Sequence, residues 1–326
     1  MVFSAPSMPL VLEPSWVGRR VSVRRVLHHG PDDRQLFGDV VGDLVGLDAQ
    51  NAVIDTRRGP VEVPVADVAV ARLAPPSTAD ELALEAVAAR GLRPAETHAL
   101  GGWLLRADHG FTRRANSVLP LRQPGVPLDE ALGAAHDWYA ARGLPLRIHL
   151  PTEARRLLAA ELGERGWGPQ PPVHVFAARL DALHVPPVDA PAVEIAETPD
   201  DAWLTSYREG HALAETGRAL LTRHDRVGFA SLRMDGRTVA VGRGVVDDEW
   251  LGIMALEVDP AYRKQGLAMA VTAALWQWGA GQGARRSYLQ VWAHNTPAVR
   301  LYEKLGYWVH HDYECRTEPA EAHGPA

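Results

Sequence analysis

The spacing of apolar residues between positions 251 and 278 predicts a buried strand that leads directly into a helix. Residues 251–258 are mostly apolar and of strand length, and Asp259-Pro260 ends this run because proline cannot donate an N–H to a ladder. After the break, apolar residues recur at the three- and four-residue intervals of a helix, at Leu267, Ala270, Val271, Ala274, Leu275 and Trp278. The sequence therefore predicts a strand, a short turn and a helix.

The turn between these elements has the composition of an anion-binding loop. The first N–H groups of a helix have no partner within the helix and lie at the positive end of its dipole. Gly266 and Ala268 let an anion approach the backbone, and Arg263 and Lys264 add positive charge. The alternative is an ordinary strand, turn and helix whose basic side chains are simply solvated.

A second block of the same kind follows about thirty residues later. Residues 287–292 have the composition of a strand, and Pro297 suits the first turn of a helix. Leu301 and Leu305 lie on one face of that helix, and Gly306 is a favoured helix stop. The sequence therefore predicts a second strand and helix.

Together, the two blocks resemble the GNAT superfamily of acetyltransferases. The matching motifs are L-x-V-x-P-x-x-R-x-x-G-x-A at residues 256–268 and N-x-x-A-x-x-L-Y-x-x-x-G-Y at residues 295–307, and the resemblance covers roughly residues 193–316. It implies an enzyme that transfers acetyl directly from acetyl-CoA to a primary amine. The acceptor, a small amine or a protein or peptide amine, is not identified by the sequence.

The resemblance also implies roles for particular residues. The pyrophosphate of acetyl-CoA is expected on the turn and the helix start, and the pantetheine arm along the edge of residues 256–258. The cofactor-binding residues are then Leu256, Val258, Arg263, Lys264, Gln265, Gly266, Leu267, Ala268, Met269 and Asn295. Tyr302 matches the tyrosine that protonates the departing CoA thiolate, and packing in the core is its alternative role.

The base that accepts the proton of the amine is left open. Glu257 is one candidate, but alternation along the strand lets it face either the pocket or another layer. Asp248, Glu249 and His294 are alternatives, acting directly or through water. Residues expected to border the acceptor pocket, each of which could equally be core or surface, are Trp203, Tyr207, His211 and Glu215.

The segment before residue 75 has the pattern of a small barrel. After a flexible arm (1–14), strand-like runs at 20–27, 37–47, 52–56 and 61–71 alternate with turn residues, which favours an SH3-like β-barrel over residues 15–74. A bacterial GNAT subfamily with such a barrel is similar. The basic and acidic residues of this segment balance, so nucleic acid is not an expected partner, and a docking role through a protein contact or a packing role is preferred for the barrel.

Residues 78–182 resemble a degenerate copy of the catalytic module at 192–316, with 317–326 as a tail. Arg122-x-x-Gly125 is followed 41 residues later by Gly166, as Arg263-x-x-Gly266 is followed 40 residues later by Gly306. Proline replaces Gln265 and Ala268 in this copy, and leucine replaces Tyr302, so we expect a silent half. The alternative is coincidence, since strand–helix alternation is common. The predicted fold class is α/β (α+β): a small barrel followed by tandem GNAT-like modules with mixed sheets flanked by helices.

Composition narrows the remaining possibilities. The chain has 326 residues, 46% hydrophobic residues and a net charge of −6, which is ordinary for a globular protein and implies no polyanionic partner. The single cysteine, Cys315, excludes a disulfide framework and a cysteine zinc cluster, so no metal is expected and a cytoplasmic location is favoured. No apolar run is long enough to span a membrane. The competing function is a non-catalytic CoA-binding or interaction protein with the barrel as its adaptor.

Overall fold

Alternating apolar residues between positions 20 and 73 form a five-stranded antiparallel sheet. Its strands are β1 (Arg20–His29), β2 (Gln35–Leu47), β3 (Asn51–Thr56), β4 (Gly59–Pro64) and β5 (Val68–Leu73), in the spatial order β4-β3-β2-β1-β5. The computed structural model describes residues 12–29, 35–184, 190–207 and 215–319, and the chain divides into two units, Met1–Ser77 and Thr78–Ala326.

The first unit is a barrel-like domain with its own core. Its fully buried side chains are Val21, Val23, Leu44, Ala52, Ile54, Val63 and Ala71. Leu12, predicted to lie in the flexible arm, is 6% exposed and packs in this core. The single strand predicted over 61–71 is wrong: it is two strands, because a 3₁₀ turn at Val65–Asp67 interrupts the ladder directly after Pro64. The SH3-like topology stays a prediction.

The second unit combines helices with one large and one small sheet. Its helices are α1 (Thr78–Leu92), α2 (Leu128–Ala140), α3 (Arg156–Glu164), α4 (Asp201–Ser206), α5 (Glu215–Thr222), α6 (Leu267–Gly281) and α7 (Thr296–Lys304). Its strands are β6 (Glu96–Leu100), β7 (Trp103–Ala107), β8 (Leu119–Pro120), β9 (Arg147–Pro151), β10 (Gly168–Pro169), β11 (Val173–Arg179), β12 (Val193–Ala196), β13 (Val227–Met234), β14 (Arg237–Asp247), β15 (Trp250–Val258), β16 (Arg286–Trp292) and β17 (Trp308–Thr317). The mixed sheets flanked by helices that the sequence predicts are confirmed.

The large sheet has the order β10-β17-β11-β16-β15-β14-β13-β12, with β9 also paired to β17. Only β15 and β16 run parallel among the strand pairs of this sheet that the structure describes. The small sheet β6-β7-β8 continues toward β9 through a parallel bridge between Val118 and Ile148. Each half of the unit therefore has one place where two parallel segments meet.

The two halves exchange a strand where they join within the large sheet. β11 belongs to the first half but lies between β16 and β17, while β17 belongs to the second half but pairs with β11 and β9. Val173 of β11 lies opposite Tyr313 of β17, and these residues are 140 positions apart, like Gly166 and Gly306. The pair lies where a pseudo-twofold axis relating the halves would pass.

Backbone conformation supports the repeat that the sequence predicts. Gly125 and Gly266 precede α2 and α6 with φ of 84° and 82°. Gly166 and Gly306 follow α3 and α7 with φ of 81° and 96°. A positive φ is readily adopted by glycine and rarely by other residues, so matching glycines mark matching turns. The exact bounds of the two modules stay a prediction.

One predicted strand of the first half is much shorter than expected. The run 115–121 contains only the two-residue strand β8, because a 3₁₀ turn occupies Arg113–Ala115 and buried Asn116 bonds locally instead of joining a ladder. The Oδ1 atom of Asn116 accepts hydrogen bonds from the N–H groups of Asp108 and Gly110, at 2.7 and 2.9 Å. This asparagine fixes the loop 108–117 in place.

The large sheet buries apolar side chains on both faces. The face that we call the α6 face packs Phe176 and Leu289 with Leu275 of α6. The opposite face, the α1 face, packs Val175 and Tyr288 with helix α1. In the part of the chain that the structure describes, every helix is too short or too polar to span a lipid bilayer.

The strand exchange predicts that the halves cannot fold separately. A fragment of residues 190–319 lacks β11, so β16 and β17 lose the strand between them and part of the core. We expect no cooperative thermal transition for this fragment in circular dichroism, whereas a 78–319 control should melt cooperatively. A cooperative, native-like melt of 190–319 alone would contradict the interdependence of the halves.

Candidate active site

The parallel strands β15 and β16 separate at their carboxyl ends. Their pairing runs from Trp250 opposite Arg286 to Ile253 opposite Leu289 and then stops. In β15 the register with β14 shifts at this point, and Ala255 has a φ of 54°. A bulge inserts an extra residue, bends the strand and re-aims it. Residues 254–258 therefore present a backbone edge that is not paired with residues 290–292, and we call this the open edge.

The helix that follows β15 begins directly after the turn at the end of the open edge. Gly266, the N-cap of α6, has a φ of 82°, and the first helical hydrogen bond runs from Ala270 N–H to Gly266 O at 3.1 Å. The preceding N–H groups in that turn have no i−4 carbonyl to bond. Arg263 Nε donates to Val258 O at 3.1 Å, so its side chain ties the turn to the open edge.

The remaining predicted cofactor residues differ in how far their side chains are buried. Lys264 and Gln265 are exposed, Ala268 and Met269 are half-buried, and Leu267 points its side chain into the core. Leu256 and Val258 pack against the same core with their side chains. These residues can therefore serve a ligand mainly through their backbone rather than through their side chains.

The equivalent edge in the first half is filled by the chain itself. Beyond the Val118–Ile148 bridge, the carbonyls of Pro120 and Leu121 each accept a hydrogen bond from the guanidinium of Arg155, at 2.5 Å. Arg155 is the N-cap residue of α3, 140 positions before Asn295, the N-cap residue of α7. No sequence motif marks Arg155. The first half thus satisfies its own edge, and the second half leaves it open.

Asn295 and Tyr302 occupy opposite ends of α7. The Oδ1 atom of Asn295 accepts the N–H of Ala298 at 3.3 Å, so this side chain caps the helix. Tyr302 is 6% exposed, with ring centroids 6.1 Å from Phe176 and 5.8 Å from Tyr307. Burial raises the pKa of the Tyr302 phenol well above its usual value, so it keeps its proton at neutral pH.

Glu257 lies on the side of the sheet that carries α4. It pairs with Val241 of β14, which packs against Trp203 and Phe229. Glu257 lines a cavity of about 950 Å³ bounded by α4, the β13–β14 turn and the end of β15. The bulge at Ala255 and the pairing of Glu257 with Val241 thus place the Glu257 side chain toward a cavity, an orientation that the sequence left open.

The other candidate bases lie before β15 or just beyond β16. Asp248 and Glu249 precede β15, and an eight-residue rise places them about 26 Å from Glu257. They form ion pairs with Arg90 at 2.8 Å and Arg286 at 3.3 Å, so they do not reach the open edge. His294 is exposed and stacks on Trp292 just beyond β16, with centroids 5.6 Å apart.

The predicted acceptor contacts are mostly not at the site. Trp203 is completely buried and its Nε1 donates to Ala230 O at 3.0 Å, so it belongs to the core. Tyr207 is half-buried beside it, and Glu215 is exposed at the start of α5. His211 lies outside the described residues.

A second cavity near the open edge was not predicted. It has a volume of about 500 Å³ and lies on the α1 face at the end of β16. Arg113, Arg114 and Arg147 line it, and all three come from the half that the sequence predicts to be silent. Since a loop and one strand supply these arginines, no spacing in the sequence reveals the cluster.

Comparison with known proteins agrees with this geometry. A family model described as the C-terminal part of the probable histone acetyltransferase Rv0428c matches residues 78–316. A relative named "Probable histone acetyltransferase Rv0428c", from Mycobacterium tuberculosis, is 32% identical over 322 residues, covering 95% of this chain and 98% of the relative.

Solved structures show the same fold. A GCN5-related N-acetyltransferase from Kribbella flavida has a TM-score of 0.58 at 22% identity, covering 74% of this chain and 96% of that one. A tandem GNAT protein from the clavulanic acid biosynthesis pathway has a TM-score of 0.51 at 16% identity, covering 76% of this chain and 96% of that one.

The separated parallel strands, the helix after β15 and these likenesses define the GNAT class of N-acetyltransferases. Within that superfamily the chain belongs to the family represented by the C-terminal part of Rv0428c. The superfamily predicted from the two sequence blocks is thereby confirmed, and acetyltransferases of this fold use acetyl-CoA.

The paired glycines before α2 and α6 give a matched test of where acetyl-CoA binds. Valine in place of Gly266 or Gly125 enters the same left-handed conformation, at a cost of about 1–2 kcal/mol in each case. We expect similar losses of thermal stability, but only Gly266→Val should abolish acetyl-CoA binding in calorimetry. Equal weakening of binding by Gly125→Val would contradict a single site in the second half.

Proposed function

We propose that the chain transfers acetyl from acetyl-CoA to a primary amine at the open edge of β15. The observation that carries this proposal is the contrast between the halves. The second half has first-turn amides and a strand edge that does not pair with β16, whereas Arg155 bonds two carbonyls of the equivalent edge of the first half. This contrast favours one cofactor site per chain, with the pantetheine amides pairing along residues 254–258 as an added strand and the pyrophosphate on the α6 turn.

The proposed reaction uses a backbone N–H and Glu257 of that edge, together with Tyr302 of α7. The neutral amine attacks the thioester carbonyl, and the developing oxyanion is stabilised by a backbone N–H of β15. The tetrahedral intermediate collapses as the carbon–sulfur bond breaks. Tyr302 donates a proton to the CoA thiolate, and Glu257 accepts the proton of the amine, directly or through water. The products are CoA and the acetylated amine.

Two acceptor classes are candidates. A small amine can enter a cavity of a few hundred Å³, such as those lined by Glu257 and by the three arginines. The printed name of the Mycobacterium tuberculosis relative suggests protein lysine instead, with the N-terminal barrel as a protein contact. Acetylation assays on both classes decide between them. The cytoplasm is the proposed location, since the single cysteine fits a reducing compartment.

The proposed acid is tested by Tyr302→Phe, which keeps the ring and removes the proton. We expect turnover at saturating acetyl-CoA to fall by about 10²–10⁴-fold, with cofactor affinity nearly unchanged. Because burial raises the pKa of Tyr302, the wild-type rate should not fall between about pH 7 and pH 9. A Phe variant that matches the wild-type rate, with chemistry rate-limiting, would exclude this role.

The proposed base is tested by Glu257→Gln. We expect a loss of turnover on the order of 10²–10⁴-fold at neutral pH. This loss of turnover should become smaller as the pH rises toward the pKa of the amine, because more of the acceptor is then already deprotonated and needs no general base. Stopped assays across this pH range measure the effect. An unchanged pH profile would assign the base to another group or to water.

A further inference from the structure

The cavity on the α1 face is built by both halves of the second unit. β16 contributes Gln290 and Trp292, β17 contributes Tyr313, and the first half contributes loop 110–117 and strand β9. Among the residues that the structure describes, the lining contains no aspartate or glutamate. The buried carboxylate of Glu85 lies behind the lining residue His149, with its oxygens 3.0 and 3.1 Å from the Nε2 atoms of His149 and His311.

The three arginines of this cavity carry charge that the protein leaves uncompensated. Arg113 bonds the side-chain oxygen of Gln170 and lies over the Trp292 ring, 4.5 Å from its centroid. Arg114 donates to the side-chain oxygen of Gln290 at 2.5 Å. Neutral amides and an aromatic ring hold these guanidinium groups in place without neutralising them.

Arg147 adds a buried donor to the same wall. Its Nε atom is buried without a hydrogen-bond partner, and none of the three arginines forms an ion pair within residues 12–29, 35–184, 190–207 and 215–319. A buried donor left unsatisfied is costly, so the partnerless Nε atom of Arg147 and the two neighbouring guanidinium groups favour an anion in this cavity.

The cavity adjoins the place where the thioester is proposed to lie. Gln290 and Trp292 belong to residues 290–292, one side of the open edge, and they also form a wall of the cavity. β9, which carries Arg147, is three strand spacings from β16, or about 14 Å. Arg114 bonds Gln290 and Arg113 lies over Trp292, so these two guanidinium groups, rather than that of Arg147, are the ones close to the open edge.

A buried arginine increases the positive charge on the same side of the sheet. Arg243 of β14 is completely buried and donates to Leu221 O at 2.7 Å and to Met254 Sδ at 3.2 Å. Met254 is the first residue of the open edge. No carboxylate pairs with Arg243 among the described residues, so its positive charge near the edge is not neutralised by an ion pair.

We propose that this cavity is the acceptor site and that the acceptor is a small amine bearing an anionic group, a carboxylate or a phosphate ester. The inference rests on the proposed function and names its substrate class. The arginines bind the anionic group and leave the amine directed at the open edge. A lysine-rich peptide is disfavoured, because it would bring further positive charge to the three arginines.

The test uses pairs of amines that differ only in the anionic group. Release of CoA is measured with β-alanine against β-alaninamide and with O-phosphoethanolamine against ethanolamine, and a lysine-rich peptide is included. We expect kcat/KM to favour an anionic member by roughly tenfold or more, through KM. The pair that shows the preference distinguishes carboxylate from phosphate.

Arginine variants test whether the preference for the anionic amine depends on the cavity. Arg113→Gln and Arg147→Gln should remove most of the preference for the anionic amine. Arg285 is exposed and lies outside the cavity, so Arg285→Gln should retain this preference. The proposal would be overturned if the neutral amines or the peptide were turned over better than the anionic amines and the two cavity variants did not change this order.

Binding measured without acetyl-CoA separates this inference from the proposed function. Calorimetry with β-alanine and O-phosphoethanolamine should show binding that Arg113→Gln abolishes and Arg285→Gln preserves. If such binding occurs but no amine is acetylated, the anion site stands and the proposed function fails. If neither anionic amine binds or is acetylated in preference to its neutral partner, the inference is wrong.

Discussion

The antiparallel pairing of β11 with β17 is the contact on which the rest of the second unit depends. It joins the last strand of each half within the large sheet, with Val173 opposite Tyr313. Because β11 also pairs with β16, and β17 also pairs with β9, each half supplies a strand to the other. The apolar cores on both faces of the sheet then include residues from both halves. The separation of β15 from β16 is consequently held in place by a sheet that neither half forms alone.

The two halves use the same turn for different purposes. In each half, a glycine with a left-handed backbone conformation precedes a helix, and a short parallel contact between two segments precedes that glycine. In the first half the guanidinium of Arg155 bonds two carbonyls of the strand edge. In the second half residues 254–258 do not pair with β16, and Arg263 bonds the carbonyl at their end, that of Val258. The first half is nevertheless more than a support for the second. It supplies three arginines to a cavity at the open edge, so loss of one cofactor site is compatible with a role in choosing the acceptor.

Local sequence pattern predicted the elements that form the proposed cofactor site, and it failed where distant residues meet. The strand–turn–helix around Gly266 follows from an apolar run, a proline and a helical stripe, all within thirty residues. The orientation of Glu257 was open because a bulge at Ala255, invisible in the alternation, decides it. The strand exchange was also missed, since strands 140 residues apart with similar patterns fit several partners. Arg155 and the cavity arginines act through single side-chain contacts, which leave no periodic signal.

Amide hydrogen exchange with and without acetyl-CoA tests the central claim most directly, namely that one half keeps an open edge and the other fills it. Mass spectrometry of peptides resolves both edges in one experiment on the intact chain. The structure predicts that acetyl-CoA slows exchange in residues 254–269, where the edge and the first-turn amides lie, and leaves residues 118–128 unchanged. Protection of residues 118–128 equal to that of 254–269, or protection of neither segment under saturating acetyl-CoA, would contradict the account.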